Sequence, residues 1–270
     1  MTIQNNIQLT EEQHEAFEKD GYLVFPGFLD ETTIQELKDS VDEKIRIEQD
    51  PDLERKHVVE YGSLGMLTSH PQLMLILDQL FGDKNYTMHH IHAVRQDAGN
   101  KGVTWHHDYE QIPQVNRNYL MVHAFFYLNG LNGEIGDLLA LPGSHKMVCE
   151  RDLGIFGTEE LPGSLAFDNL EAGSMVIVHS ALFHGRRQKP GGENSPRYFI
   201  DTSYCEKGIK WPRYGHAEAV REVAFKTNMH RNGEYDYLYD PSEFYERGAI
   251  REKLDQVDDE IKHLFKNEKE

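Results

Sequence analysis

Three short stretches carry side chains whose types and spacing suggest chemistry: Trp105-His106-His107-Asp108, Phe183-His184-Gly185 and Pro196-Arg197-Tyr198. On an extended segment, residues two apart project to the same side. His106 and Asp108 can therefore share one face while His107 points away. Two imidazoles and one carboxylate form the facial set that binds Fe(II) and leaves positions open opposite. His184 arrives so much later that two strands of a sheet, rather than one helix, must bring it to the pair. His179 is the competing third ligand. Arg197 follows after enough chain to turn and pass the metal again, and a guanidinium matches a carboxylate in two-point contact. The same donors also fit a Zn2+ hydrolase or a cupin-like binding protein that keeps a metal without catalysis.

Other histidines and cations have open roles. Counting back from His106 predicts that His89, Ile91, Ala93 and Arg95 face inward, which makes His89 and Arg95 candidates for ligand contact. His90 and His92 share the opposite face and could form a rival site. His123 lies within the apolar run Tyr119 to Leu128, either as a hydrogen-bonded core residue or as a pocket residue. His145 belongs to a turn and is not expected to bind metal. Arg186, Arg187 and Lys189 follow His184 directly. They read either as a solvated turn or as a cationic rim for an anionic small-molecule substrate.

Those side chains need a scaffold, and the chain divides by character. Thr10-Glu-Glu-Gln13 has the capping-box pattern, predicting a helix from Glu11 to Asp20 that Gly21 ends. A strand follows over Tyr22–Phe25. A second helix capped by Asp30 has apolar positions Ile34, Leu37, Val41 and Ile45, and residues 46–62 read as irregular. A third helix runs from His70 to Phe81, with Pro71 in its first turn and Gly82 as its stop. From Tyr86 onward short apolar segments separated by Gly and Pro predict strands, including 119–128, 138–141, 174–178 and 197–204. The expected fold is mainly β with flanking helices, a double-sheet jelly roll of the cupin type. Aromatic residues crowd the tail after Glu206, and a charged helical pattern spans Ser242 to Phe265.

Composition narrows the partners. The 270 residues hold 46 Asp plus Glu against 28 Lys plus Arg, a formal charge of −18. Such a surface repels phosphate backbones and anionic lipid, so neither nucleic acid nor membrane is an expected partner. Cys149 and Cys205 are too few for a disulfide framework. The start of the chain has no charged segment followed by an apolar one, and a cytoplasmic location is expected.

The stretches Phe17-Glu-Lys-Asp-Gly-Tyr-Leu-Val-Phe-Pro-Gly27, Trp105-His-His-Asp108, Leu141-Pro-Gly-Ser-His-Lys146, Phe183-His-Gly185 and Arg197 occur in one order. As an ordered set the chain resembles the phytanoyl-CoA dioxygenase family of Fe(II)- and 2-oxoglutarate-dependent oxygenases. The resemblance implies one domain over 1–270: a helical part to about 85, a double-stranded β-helix over 86–204, and a tail, 205–270, packed on it. It implies iron on His106, Asp108 and His184, with 2-oxoglutarate and O2 as cosubstrates. Arg197 would hold the distal carboxylate of 2-oxoglutarate, with His89, Arg95 and His123 as further candidates. The reaction implied is hydroxylation of a small metabolite, releasing succinate and CO2. A carboxylate at Asp108 fills the position a halide would need, which favours hydroxylation over halogenation.

Overall fold

The computed structural model describes residues 7–111, 118–147, 151–189, 195–213 and 217–245. Helix α1 (Glu11–Asp20) begins on the capping box: Gln13 N donates to Thr10 Oγ1 at 3.2 Å and Thr10 N to Gln13 Oε1 at 2.9 Å. Gly21 ends it at φ 85°, where a side chain would also collide with the ring of His145. Strand β1 (Tyr22–Phe25) follows at once. Helix α2 (Glu31–Gln49) is capped by Asp30, which accepts from Thr33 N at 2.8 Å. It runs through residues 46–49, which the sequence leaves irregular. Ile47 is buried there, and Lys44 pairs with Glu48 one turn on, so the helical face continues. After the short α3 (Leu64–Leu67), helix α4 (Pro71–Phe81) buries Leu73, Met74, Ile76 and Leu77.

The strands are β2 (Tyr86–Gln96), β3 (Val103–His106), β4 (Met121–Tyr127), β5 (Leu138–Ala140), β6 (Leu165–Phe167), β7 (Ser174–His179), β8 (His184–Arg186) and β9 (Arg197–Glu206). They form a five-stranded sheet, β1-β7-β4-β9-β2, and a four-stranded sheet, β3-β8-β5-β6. Every pairing in both sheets is antiparallel. Phe125, Tyr127, Val176 and Val178 from the first sheet pack with Leu138 and Ala140 from the second. The expected double-sheet jelly roll is the observed architecture.

The alternate side chains of the large sheet face the helices. Val122, Ala124, Phe126, Ile177 and Ile200 join Leu37, Leu73 and Leu77 in the main core. The large sheet is therefore covered on both faces, which explains why β4 reads as an unbroken apolar run. In the tail, β10 (Trp211–Pro212) pairs with β11 (Phe244–Tyr245), and α5 (Ala217–Lys226) lies between them in sequence. Hydrogen bonds fasten this region to the body: Thr87 Oγ1 donates to Leu238 O at 2.9 Å, and the Tyr86 and Tyr237 hydroxyls meet at 2.9 Å. The helical pattern expected from Ser242 is not seen at its start. Pro241–Glu243 is a 3-10 turn and Phe244–Tyr245 is extended, drawn into pairing with β10; residues beyond 245 lie outside the described ones.

His70, just before α4, stacks on Phe28 at 5.2 Å, and its buried Nδ1 has no partner among the described residues. Burial, followed by the charge of Arg231, pushes its pKa down to about 4. The unfolded chain then takes up this proton first as pH falls. The resulting stability is complete above the ordinary value of 6.5 and is lost on approach to 4. His70→Phe should flatten that decline by on the order of 1–2 kcal/mol, since partial exposure discounts the full shift. Urea unfolding of both proteins at about pH 7 and about pH 5 measures it; parallel losses would exclude the assignment.

Candidate active site

Antiparallel pairing of β3 with β8 sets His106 directly opposite His184, and their ring centroids lie 4.3 Å apart. One residue past the end of β3 the chain turns so that Asp108 N donates to Ser180 O at 2.7 Å, which holds the carboxylate beside both rings. His106 Nε2 lies 3.6 Å from Asp108 Oδ1, and His184 Nε2 lies 3.2 Å from Oδ2. The other nitrogen of each ring faces a carbonyl two residues back: His106 Nδ1 is 2.7 Å from Thr104 O, and His184 Nδ1 is 3.0 Å from Leu182 O. A carbonyl only accepts, so each Nδ1 carries a proton, and each Nε2 is left on the side of the carboxylate as the atom that would ligate a metal.

The electrostatics favour an ionised carboxylate at this point. Burial, then the neighbouring charge of His184, lowers the His106 pKa. Burial alone would raise Asp108, but His184 and then His123 and His106 hold it well below the usual carboxylate range. Neutral imidazoles and an ionised carboxylate are the forms that bind a divalent ion, so the donor set fits iron(II). His179 is elsewhere, against the rings of Phe17, Tyr109 and His145.

These three residues line one wall of a cavity of about 490 Å3. At one end of it Arg197 is almost fully buried, its guanidinium over Phe199 at 4.6 Å and Tyr127 at 5.2 Å. Its Nη1 donates to the neutral amide oxygen of Gln96 at 2.9 Å, and its Nε has no partner among the described residues. No described carboxylate forms an ion pair with it. Arg186 lines the same end, and burial together with Arg197 pushes its pKa down to about 10. A buried and a half-buried guanidinium, neither paired with an acid among the described residues, suit a small dicarboxylate.

The sequence profile described as phytanoyl-CoA dioxygenase (PhyH) matches residues 17–189, which span the helices, the His-x-Asp pair and His184. The chain belongs to that family. By class it is a non-haem iron, 2-oxoglutarate-dependent dioxygenase. Among characterised relatives, the dioxygenase cdmD of Talaromyces verruculosus is 22% identical over a 213-residue alignment, with 65% of this chain and 66% of that protein covered. Two solved structures share the fold. HygX of Streptomyces hygroscopicus, with nickel and 2-oxoglutarate bound, has TM-score 0.62 and 17% identity, covering 76% of this chain and 90% of its own. SnoK, a non-haem 2-oxoglutarate-dependent carbocyclase from nogalamycin biosynthesis, has TM-score 0.58 and 19% identity, covering 73% and 84%.

Within this phytanoyl-CoA dioxygenase-like chain, β2 presents the face opposite to the expected one. His90, His92, Val94 and Gln96 line the cavity with Ile91, whereas Ala93 packs in the helix-side core. Arg95 therefore points away; it pairs with Asp42 at 2.6 Å and Asp97 at 3.5 Å. His89 is buried in a second cavity of about 190 Å3, where Nε2 meets Pro212 O at 2.9 Å. A count back from His106 must cross the connection over 97–102, which joins strands of two different sheets and so carries no parity; a register irregularity between Met88 and His90 further separates His89 from the alternation of β2. His123 does reach the cavity wall. The Arg186–Lys189 segment divides: Arg186 faces in, Arg187 pairs with Asp137 and Glu160, and Lys189 is buried.

Several cavity residues carry no local sequence signal, among them Gln96, Tyr127 and the Arg151–Glu110 ion pair (2.6 Å). Period-two reading of β9 from Arg197 would have found Phe199 and Asp201. For the triad, His106→Ala, Asp108→Ala and His184→Ala should each weaken Fe(II) binding more than about a hundredfold, exceeding the effect of a lost outer partner. His179→Ala should leave it unchanged. Anaerobic metal titration of the four variants decides between these ligands and the alternative set.

Proposed function

We propose that this chain couples decarboxylation of 2-oxoglutarate to hydroxylation of a C–H bond in a small metabolite, with release of succinate and CO2. The carrying observation is the placement of Arg197, without an acid partner, in the same cavity as His106, Asp108 and His184. A hydrolase would have no use for that buried guanidinium, and a passive metal site would have no use for the cavity. Iron, when bound by the triad, supplies the activation of O2.

The chain's own side chains do the remaining work. Arg197 anchors the distal carboxylate of 2-oxoglutarate, with Arg186 close enough to strengthen the local positive field. Phe125, Phe199 and Val94 line the stretch between Arg197 and the triad, and give the aliphatic part of the diacid an apolar surface. Thr104 and Leu182 carbonyls keep both imidazoles in the ligating tautomer. Fixing both reactants in one enclosed site is the main catalytic contribution of the scaffold.

Purified protein with Fe(II), O2 and 2-oxoglutarate should release succinate slowly even without the primary substrate; none above a metal-free control would overturn the reading. Arg197→Lys keeps the charge but loses the planar pair of donors. Losing a charge-assisted hydrogen bond costs about 1.5–3 kcal/mol, so KM for 2-oxoglutarate should rise roughly tenfold to a hundredfold while iron affinity holds. Arg197→Leu should raise it further. An unchanged KM in the leucine variant would mean that Arg197 holds something else.

A further inference from the structure

The cavity wall formed by β2, β4 and β9 is a ladder whose rungs follow from strand register. Gln96 pairs with Arg197, Val94 with Phe199, His92 with Asp201 and His90 with Ser203; Tyr127 faces Phe199, Phe125 faces Asp201 and His123 faces Ser203. The ring of Phe125 touches His184 at 5.5 Å, which fixes the triad at the third rung. His123 stands one rung further from Arg197, about 7 Å on at roughly 3.4 Å per residue. A five-carbon diacid anchored on Arg197 and reaching the triad ends before that point. The last rung is left to another molecule.

The His123 ring is built for contact. It is 1% exposed, and its Nδ1 lies 2.9 Å from both carboxylate oxygens of Asp201. A carboxylate accepts, so that nitrogen carries a proton and the ring orientation is locked. The residue lines the cavity, and its buried Nε2 has no partner among the described residues. A buried polar atom left unpaired destabilises the fold, a cost that a ligand atom would remove. Burial would lower the His123 pKa, yet the Asp201 charge raises it, consistent with a proton on Nε2. His90, whose ring lies 5.6 Å away and whose Nε2 is 3.8 Å from Asp201, completes this end.

We propose that His123, oriented by Asp201, hydrogen-bonds an oxyanion, carboxylate or phosphate-type, on the primary substrate and so presents the adjacent C–H bond to the triad. This rests on the oxygenase reading, and it assigns that enzyme an anionic substrate. His90, His123 and Asp201 also bring three donor atoms within 4.8 Å, so a second metal is the rival occupant. Ligation through His123 Nδ1 would leave its buried Nε2 without a partner, contrary to the usual support of a ligating histidine.

The test uses protein labelled with 15N-histidine and loaded with Zn(II) and 2-oxoglutarate, with the His123 signal identified by its loss in His123→Phe. Acetate and methylphosphonate should each shift Nε2 saturably, whichever binds tighter naming the oxyanion, whereas acetamide should not. Asp201→Asn should weaken the tighter probe by roughly tenfold or more. No saturable shift, an equal response to acetamide, or a His123 shift caused by 2-oxoglutarate alone would each overturn the assignment. Uptake of a second equivalent of Zn(II) that is lost in Asp201→Asn would overturn it in favour of a metal site. If 2-oxoglutarate does not bind to the Zn(II)-loaded wild type at all, the oxygenase reading fails instead.

Discussion

The short antiparallel pairing between β3 and β8 is the constraint on which the site depends. It sets His106 opposite His184 and lets the chain leave β3 so that Asp108 folds back beside both. Nothing in either short strand is stable alone. The pair is held by β5, which continues the sheet beyond β8, and by Ser144, whose hydroxyl accepts from Phe183 N at 2.8 Å. Trp105, fully buried and donating its indole N–H to Glu159 O at 2.7 Å, fixes the strand immediately before His106. Those contacts explain why the quoted family stretches extend beyond the ligands to their apolar and small neighbours.

The large sheet does the complementary task. Its strands are covered on both faces, so alternate residues must serve two masters: Val122, Ala124 and Phe126 pack on helices, while His123, Phe125 and Tyr127 face the cavity. Polar side chains on the cavity face are then forced into a low-dielectric setting. They persist because each has a defined partner, as Arg197 with Gln96 or His123 with Asp201. A chain of net charge −18 thereby places the buried Arg197 and the half-buried Arg186 at one end of a cavity. That contrast gives a dianionic cosubstrate one favourable destination.

Local rules were legible in the sequence wherever a few adjacent residues decide the outcome. The capping box at Thr10, the glycine stop at Gly21, Pro71 at the first turn of α4 and the His-x-Asp spacing all act within a few positions. The doubly covered strand β4 was legible as an apolar run, and the ordered family stretches gave the architecture. Illegible were features set by distant pairing. Arg95 and Gln96 differ by one position, yet only the register of β2 against β9 decides which enters the cavity. Asp201 could be placed only by its even spacing from Arg197 along β9, because its partner, His123, lies on another strand. Strand β6, three residues long and half-exposed, has too little apolar surface to stand out. Ser242 to Tyr245 failed as a helix because pairing with Trp211 overrode local propensity.

The central claim is that one cavity holds iron on His106, Asp108 and His184 and 2-oxoglutarate on Arg197, so the two must meet. An anaerobic optical titration measures this most directly, because chelation of Fe(II) by 2-oxoglutarate gives a visible charge-transfer absorption. Wild-type protein carrying one Fe(II) per chain should develop that absorption and saturate at one 2-oxoglutarate, whereas Arg197→Leu should keep its iron and need far more 2-oxoglutarate. Iron that binds tightly to the triad yet gives no such absorption at saturating 2-oxoglutarate would contradict the account.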